Sequence, residues 1–516
     1  MGMPKVNAIL KGKSDTSIKG RSELIIGVLP NGDANAGKIF DNVQTFTKSE
    51  LDSTFGVNTH LRLTIEKFLT INRKSRLRVQ TIEEELNYTT SSSGKITLSG
   101  AATKDGKYLV SMISDKDFIA EISVLTGDTD EVVATKIENA FNAVAMPALP
   151  AKVTRSLAEV TATANTKSTI GDTYGLKVVG EVEGLTVSLT GFSGGSGAPA
   201  YAESDFPAGR VTGVLVPSTF TVMFAAVKSV MESRFNSNNL INDGVTFYGL
   251  CDSYSNITTA LTTQNTKTMV IGNKLTPDVV PINGHKQTGP SIVHPVDFSV
   301  AEFMAIRALR LELNAPIADY VIASGKDNFG GKALASLPYH NTPLAMTPIT
   351  PAVLLFNETE KEGLEAVGYT VIDVNDTESA VVMGATATNY KYDELGLPSD
   401  TFKYLEFVDT GSVCREYIFN FMKQKLAQSR ATGGDLIERR NIHNESSIAG
   451  LFMDAYEDLG KDALVQMDGT IVSQVLNELK VSIDLAKRTA EIDGFLPIVT
   501  QIGTVNMALN LVFKMS

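Results

Sequence analysis

The sequence predicts an α/β (α+β) core domain carrying an inserted β-rich domain, with extended N- and C-terminal arms suited to β-strand exchange between subunits. Three observations predict it. Strand-like and helix-like segments alternate on either side of a long Ser/Thr/Gly/Ala-rich stretch, the pattern of a mainly parallel sheet. That stretch, 86–207, holds short apolar runs separated by turn residues. Both ends of the chain alternate apolar and polar residues at period two, which marks a half-buried strand.

Residues 1–24 are polar and Gly-punctuated and read as an N-terminal arm. Within it Val6, Ala8 and Leu10 alternate with Lys5, Asn7 and Lys11, and Ile9 breaks the pattern. The core domain is assigned to 25–85 and 208–400. Glu23–Leu29 (ELIIGVL) predicts a buried strand ended by Pro30-Asn31-Gly32. His60–Asn72 has Leu61, Ile65, Phe68 and Leu69 at helical spacing, and Arg76–Ile82 alternates as a strand.

The inserted domain, 86–207, is expected to face outward. Its strand candidates are Lys95–Leu98, Tyr108–Ile113, Phe118–Leu125, Val160–Ala164, Leu176–Val179 and Leu185–Leu189. One amphipathic helix carries Val133, Ile137, Phe141 and Val144. Gly191–Pro199 (GFSGGSGAP) reads as a flexible loop.

The core resumes near Val211, with helices at Thr219–Phe235 and Phe298–Leu313. Strands are expected at Val245–Leu250, Lys267–Ile271 and Tyr320–Ala323, followed by a helix–strand unit, Glu360–Val367 and Tyr369–Val374. A C-terminal domain, 401–494, is read as a long helix Ser412–Arg430, a helix Ile448–Leu464 broken at Gly460, and a strand Val481–Ala486. The last segment, 495–516, is read as an arm. Val505, Met507, Leu509, Leu511 and Phe513 share one face, opposite Thr504, Asn506, Ala508, Asn510 and Lys514, with Val512 the apolar exception. An apolar terminal strand offers unpaired backbone groups and invites pairing with another chain. The alternative is that both ends add strands to the chain's own sheet.

A chain of 516 residues accommodates roughly three or four domains of ~100–200 residues. Hydrophobic and charged contents of 43% and 20% are those of a folded globular protein. The net charge of −12 and the scattered Lys and Arg argue against direct nucleic-acid binding. Two distant cysteines, Cys251 and Cys414, give no disulfide framework, and no Cys/His spacing suits zinc. The opening MGMPKVNAILKGKS lacks the apolar core of an export signal, so folding in cytoplasm is expected. The most apolar stretch, Val211–Met231, is broken by Pro217, Ser218, Thr219 and Lys228, so stable membrane insertion is not expected.

The nearest approach to catalytic chemistry is Gly32-Asp-Ala-Asn-Ala-Gly37-Lys38, which matches a phosphate loop up to its last position. Ile39 stands where a magnesium-binding hydroxyl is needed, and the next residues read as a strand instead of a helix. Asn7–Ser14 (NAILKGKS) ends in Lys-Ser but lacks the first glycine. His60, His285, His294, His340 and His443 form no paired ligand motif, and no G-x-S-x-G elbow is present. Ser324-Gly325-Lys326 matches no nucleophile motif. No catalytic set, cofactor site or metal site is therefore assigned. Glu83-Glu84-Glu85 reads as a solvated entry to the inserted domain, and Glu438-Arg439-Arg440 as an exposed loop. Lys423, Lys425 and Arg430 sit on the polar side and at the end of the long helix, where they favour its dipole.

Ile26-Gly27-Val28-Leu29-Pro30-Asn31-Gly32, then Thr54-Phe55-Gly56, then Phe68-Leu69-Thr70-Ile71-Asn72 resemble the opening of contractile bacteriophage tail sheath proteins, with Arg73 in place of a usual glycine. The inserted segment is similar to the phage Mu-like branch. The residues are Gly94–Gly100, Leu125-Thr-Gly-Asp-Thr129 with the helix 131–145, and Val160–Asn165 running into Gly171–Gly175. Phe402–Asp409 with Arg415-Glu-Tyr-Ile418 is similar to a strand and helix before the sheath C-terminal domain.

The resemblance implies a structural, non-enzymatic subunit that polymerises with itself as stacked hexameric rings around a tail tube. Its further partners would be the tube, baseplate and tail terminator proteins. Assembly would take place in the host bacterial cytoplasm and end in a virion tail, whose contraction drives the tube through the host envelope. Val505–Phe513 and Val6–Leu10 become donated strands, Lys423, Lys425 and Arg430 candidate tube contacts, and Gly12, Gly20, Gly494 and Pro497 candidate hinges. The other readings are a non-contractile virion assembly protein and an α/β hydrolase or NTPase.

Overall fold

The computed structural model describes residues 5–11, 20–84, 88–113, 120–143, 149–235, 244–274, 281–282, 285–288, 294–311, 339–345, 355–375, 381–393, 395–426, 430–432, 442–461, 464–486 and 489–499. Its centre is an eight-stranded sheet. In chain order the strands are β2 (Glu23–Leu29), β3 (Ile39–Phe40), β4 (Leu77–Glu83), β12 (Gly213–Val216), β13 (Val245–Gly249), β14 (Met269–Gly272), β17 (Tyr369–Val374) and β18 (Val381–Met383). The spatial order is β18-β17-β14-β13-β12-β2-β4-β3. The six inner strands are parallel, and β3 and β18 close the edges antiparallel.

Inner parallel strands are covered on both faces, so their sequences read as continuous apolar runs. All of ELIIGVL in β2 is buried. Its residues alternate between two cores. Ile25 and Leu29 join one, and Leu24, Ile26 and Val28 the other. The same split separates Leu215 from Val214 and Val216, and Phe247 from Tyr248.

Helices α1 (Lys48–Phe55), α2 (His60–Ile71) and, in chain order further on, α6 (Val296–Leu311) cover the first face. Helices α4 (Thr221–Phe235), α5 (Tyr254–Leu261) and α7 (Glu358–Ala366) cover the second. Local chemistry starts several of these helices. Thr47 and Glu50 form a capping box on α1, Asn357 and Glu360 one on α7, and Thr59 caps α2. α6 is buried almost all round, with Phe303 edge-on to Phe247 and Tyr339.

The chain leaves the core after β4 and builds two further sheets around one apolar cluster. One sheet holds β5 (Ser93–Gly100), β8 (Ala151–Ser156), β9 (Glu159–Ala164) and β11 (Leu185–Ser193). The other holds β6 (Gly106–Met112), β7 (Ala120–Val124), β10 (Leu176–Val179), β15 (Pro281–Ile282) and β16 (His285–Thr288). Between them lies α3 (Asp130–Ala143), which buries Val133, Ile137 and Phe141. Residues 285–288, which the sequence assigns to the core, pair with β10 of the insert. Gly191-Phe192-Ser193, expected in a flexible loop, completes β11, and Phe192 packs into the cluster.

The C-terminal part holds α8 (Leu405–Leu426), β19 (Arg430–Ala431), β20 (Ile442–His443), α9 (Glu445–Lys461), α10 (Gly469–Glu478), β21 (Lys480–Asp484) and β22 (Thr489–Phe495). The sequence places the start of α8 at Ser412 and a break at Gly460, whereas α8 begins at Leu405 and α9 runs through Gly460, with Met467 packed over it. Of residues 402–409, read by resemblance as a strand, 405–409 form the first turns of α8. Tyr320–Ala323, Val144 and 501–516 lie outside the described residues.

Phe303→Ala should cost about 3–5 kcal/mol of core stability, because it leaves a cavity between the rings of Phe247 and Tyr339 in a fully buried site. Urea unfolding followed by circular dichroism measures it.

Candidate functional site

The loop 30–38 joins β2 to β3, so the glycine-rich segment leads into a strand and offers no helix N-terminus. Gly32 and Gly37 adopt φ of 79° and 71°, the conformation of turn glycines. The amides a phosphate would need are already used. Gly32 N–H donates to Glu83 Oε1 at 3.0 Å, Asn35 N–H to Asp33 Oδ1 at 2.8 Å, and Lys38 N–H to Thr81 Oγ1 at 2.9 Å. Glu84, expected to be solvated, is buried and accepts from the amides of Asn31 and Lys167.

His60 is the first residue of α2 and is buried. Its Nε2 lies 3.0 Å from Asp297 Oδ2, and its ring stacks on Tyr174 at 5.8 Å. Asp297 Oδ1 also accepts from the amide of Ser218 at 3.2 Å. No hydrogen bond among the described residues joins Ser218 Oγ to His60, so the link that activates a serine is missing from this Asp–His–Ser group. His294 Nε2 bonds Ser299 Oγ at 3.1 Å, and His443 Nδ1 bonds Ser447 Oγ at 3.3 Å. Burial pushes the thiols of Cys251 and Cys414 up to about 11 and about 12. Among the described residues no His/Cys/Asp/Glu group is arranged to hold a metal ion, and no helix is long and apolar enough to cross a membrane.

The arrangement that concerns the chain ends is a three-stranded antiparallel sheet, β1 (Lys5–Lys11) against β22 and β22 against β21. Val6 stands opposite Gly494, Ala8 opposite Ile492 and Leu10 opposite Ala490. The first strand of the chain is thus an edge of a sheet built by its last described strands, and β21 forms the other edge. Gly494, proposed from sequence as a hinge, is a strand residue opposite Val6, and the ring of Phe452 lies 3.5 Å from where its Cβ would be. The chain remains docked beyond 495. Leu496 is buried, Ile498 bridges Val465, and the Val499 amide donates to Leu464. Gly12 and Val505, Met507, Leu509, Leu511 and Phe513 lie outside the described residues.

A buried polar network fixes the root of the N-terminal arm. Arg21 Nε donates to Glu416 Oε2 on α8 at 2.8 Å, and Arg210 Nη1 lies 3.0 Å from the same oxygen. One step further in, Arg307 of α6 holds both oxygens of Asp409 on α8. Its Nη2 reaches Oδ1 at 2.6 Å and its Nη1 reaches the Thr212 carbonyl at 2.7 Å. The Tyr339 hydroxyl donates to Asp409 at 2.8 Å. Thr212 Oγ1 donates to Glu23 at 2.6 Å, and the backbone amide of Tyr339 and the hydroxyl of Thr386 both donate to Glu406. Burial works against the Arg307 charge, yet Asp409 and Glu23 raise its pKa overall. Burial raises the Glu23 carboxyl, against the opposing pull of Arg307.

Sequence reasoning found none of these residues except as parts of strands and helices. Their partners lie 20 to 395 residues away in the sequence, and the only available signal is charged residues at positions where the helical pattern demands apolar ones. Lys423 and Lys425 occupy the last turn of α8, with the Lys425 ammonium 5.3 Å from the Phe421 ring centroid; Arg430 lies on β19.

No protein-family model matches this chain, and no curated protein matches it. Among solved structures, it is similar to the sheath tail protein Lin1278 from Listeria innocua, with a TM-score of 0.42 and 10% sequence identity. The similarity covers 94% of this chain and 94% of that one.

Arg307→Met leaves Asp409 buried without its partner and should cost about 3–5 kcal/mol, most of it recovered in Arg307→Met/Asp409→Leu, measured by chemical denaturation. The folded-state pKa of Glu23 lies above its unfolded value. Its contribution is therefore full below about pH 4.5 and is lost as pH rises towards the folded pKa. Glu23→Gln should flatten that loss in a stability-versus-pH series.

Proposed function

We propose that this chain is the subunit of a contractile phage tail sheath of the Mu-like branch, one that polymerises as stacked hexameric rings around a tail tube. The observation that carries the reading is the β1–β22–β21 sheet. A terminal strand that joins a sheet edge by backbone hydrogen bonds can be supplied by any copy of the same sequence, because the register is the same. The Lys5–Lys11 strand of one subunit would fill the β22 edge of the next. The apolar face Val505–Phe513 would add to the β21 edge of a neighbour.

The motifs around Ile26–Gly32, Thr54–Gly56, Phe68–Asn72 and Gly94–Gly100 support the same family. Lys423, Lys425 and Arg430 are the proposed tube contacts, with baseplate and terminator proteins as end partners. Contraction would move the cores while the paired strands keep subunits linked. The work comes from a metastable extended state, and no cofactor or nucleotide is consumed. The assembled particle is a virion tail built in the bacterial cytoplasm.

Asn7→Cys/Asp493→Cys tests strand exchange directly, since the two positions face each other in the register. In oxidised tubes it should yield a ladder of covalent multimers, and in dilute monomer an internal disulfide. Internal disulfides alone in tubes would refute exchange. Removal of 499–516 should abolish tubes seen by electron microscopy while circular dichroism stays unchanged. Tubes of one length and diameter under all conditions would favour a non-contractile assembly.

A further inference from the structure

Doubly wound sheets bind ligands outside the carboxyl ends of the two strands at which strand order reverses, because the connections there depart in opposite directions and open a crevice. The parallel strands here run in the order β4-β2-β12-β13-β14-β17, so the reversal lies between β2 and β12. Their carboxyl ends lead into Pro30–Gly32 and Pro217–Phe220.

A segment of the insert, 165–174, meets the core there. Ile170 is 2% exposed and belongs to the same apolar cluster as Ile26, Val28, Val216 and Phe220. Thr169 Oγ1 lies 3.1 Å from Thr219 Oγ1 just past β12. The Lys167 amide donates to the Glu84 carboxylate just past β4. The Asn165 side-chain amide donates to the Asn58 carbonyl at 3.1 Å, and the Tyr174 ring covers His60.

The seam around this apolar tip is not satisfied as a core is. His60 Nδ1, Thr166 Oγ1, the Tyr174 hydroxyl and Ser218 Oγ are buried and have no hydrogen-bond partner among the described residues. Buried polar atoms are normally paired, and a seam that leaves four unpaired gains little from staying closed over opening to water.

We infer that 165–174 is a latch: a built-in occupant of the ligand crevice that seats the inserted domain on the core and can unseat without unfolding either. The β10–β16 pairing, Val178 opposite Thr288 and Val179 opposite Gln287, is a second tie that outlasts unseating. This inference does not depend on the sheath reading, and it converts the position used by enzymes of this topology into a mechanical joint.

The full chain tests it in two ways. Thr169→Cys/Thr219→Cys should form a disulfide almost completely under mild oxidation, read by peptide mass spectrometry; failure to form it would overturn the seated geometry. Ile170→Asp should speed hydrogen exchange of the amides of 166–174 by about tenfold or more while β9 and β12 stay protected. The double cysteine variant carrying Ile170→Asp should regain slow exchange when oxidised. Unchanged exchange in Ile170→Asp, or loss of protection spreading through β9 and β12 together, would overturn the latch as a separable element.

Discussion

The Arg307–Asp409 pair is the constraint on which the arrangement of parts depends. It joins the helix at the centre of the core to the helix that leaves it. Leu405 and Val408 at the start of α8 pack in the core cluster, while Val413, Ile418 and Met422 pack in the C-terminal cluster. One helix therefore belongs to two hydrophobic cores, and apolar packing alone would tolerate sliding or rotation of α8 along its axis. A two-oxygen grip on Asp409, backed by Tyr339 and by the Thr212 carbonyl, tolerates neither. Isolating such a pair from water is costly, and hydrophobic replacements can match its stability. What the pair adds is a single register, which a long helix shared by two cores needs.

That register reaches the chain end. Arg21 clasps Glu416 one side and two turns along α8 from Asp409, and the chain passes from Arg21 straight into Ser22 and the central strand β2. The departure point of the N-terminal strand is thus set by the same helix that packs beneath the sheet the strand joins. The root of the arm and the sheet that β1 joins thus both rest on α8.

The parts of this design differ in how well the sequence announces them. β2 and β17 are legible to the residue, because a fully buried parallel strand is a short apolar run with turn residues after it. α2 is legible because four apolar residues recur at helical spacing behind the Thr59 cap. The first turns of α8 are not. Glu406, Asp409 and Thr410 are buried there, and a periodicity argument reads buried polar residues as the outside of the molecule. β22 (TAEIDGF) is equally hidden, since its place comes from the two strands that flank it. The helical spacing places His60 at a helix start, yet its buried partner Asp297 is 237 residues away. Pairing across such distances leaves no local trace.

The proposed strand exchange has a simple energetic balance. Swapping β1 between identical chains replaces each backbone hydrogen bond by its twin, so bonding enthalpy cancels and only chain entropy and concentration decide. A short connection such as 12–19 gives the chain's own strand an effective concentration in roughly the millimolar range. A dilute monomer therefore closes on itself. In the proposed polymer a neighbour's strand would be present at a comparable concentration and would compete with it. On the proposed reading, the closed β1–β22 pairing and the exchanged one would be two states of one edge, selected by assembly. The β22 edge, an aggregation hazard if left open, is capped by the chain's own first strand.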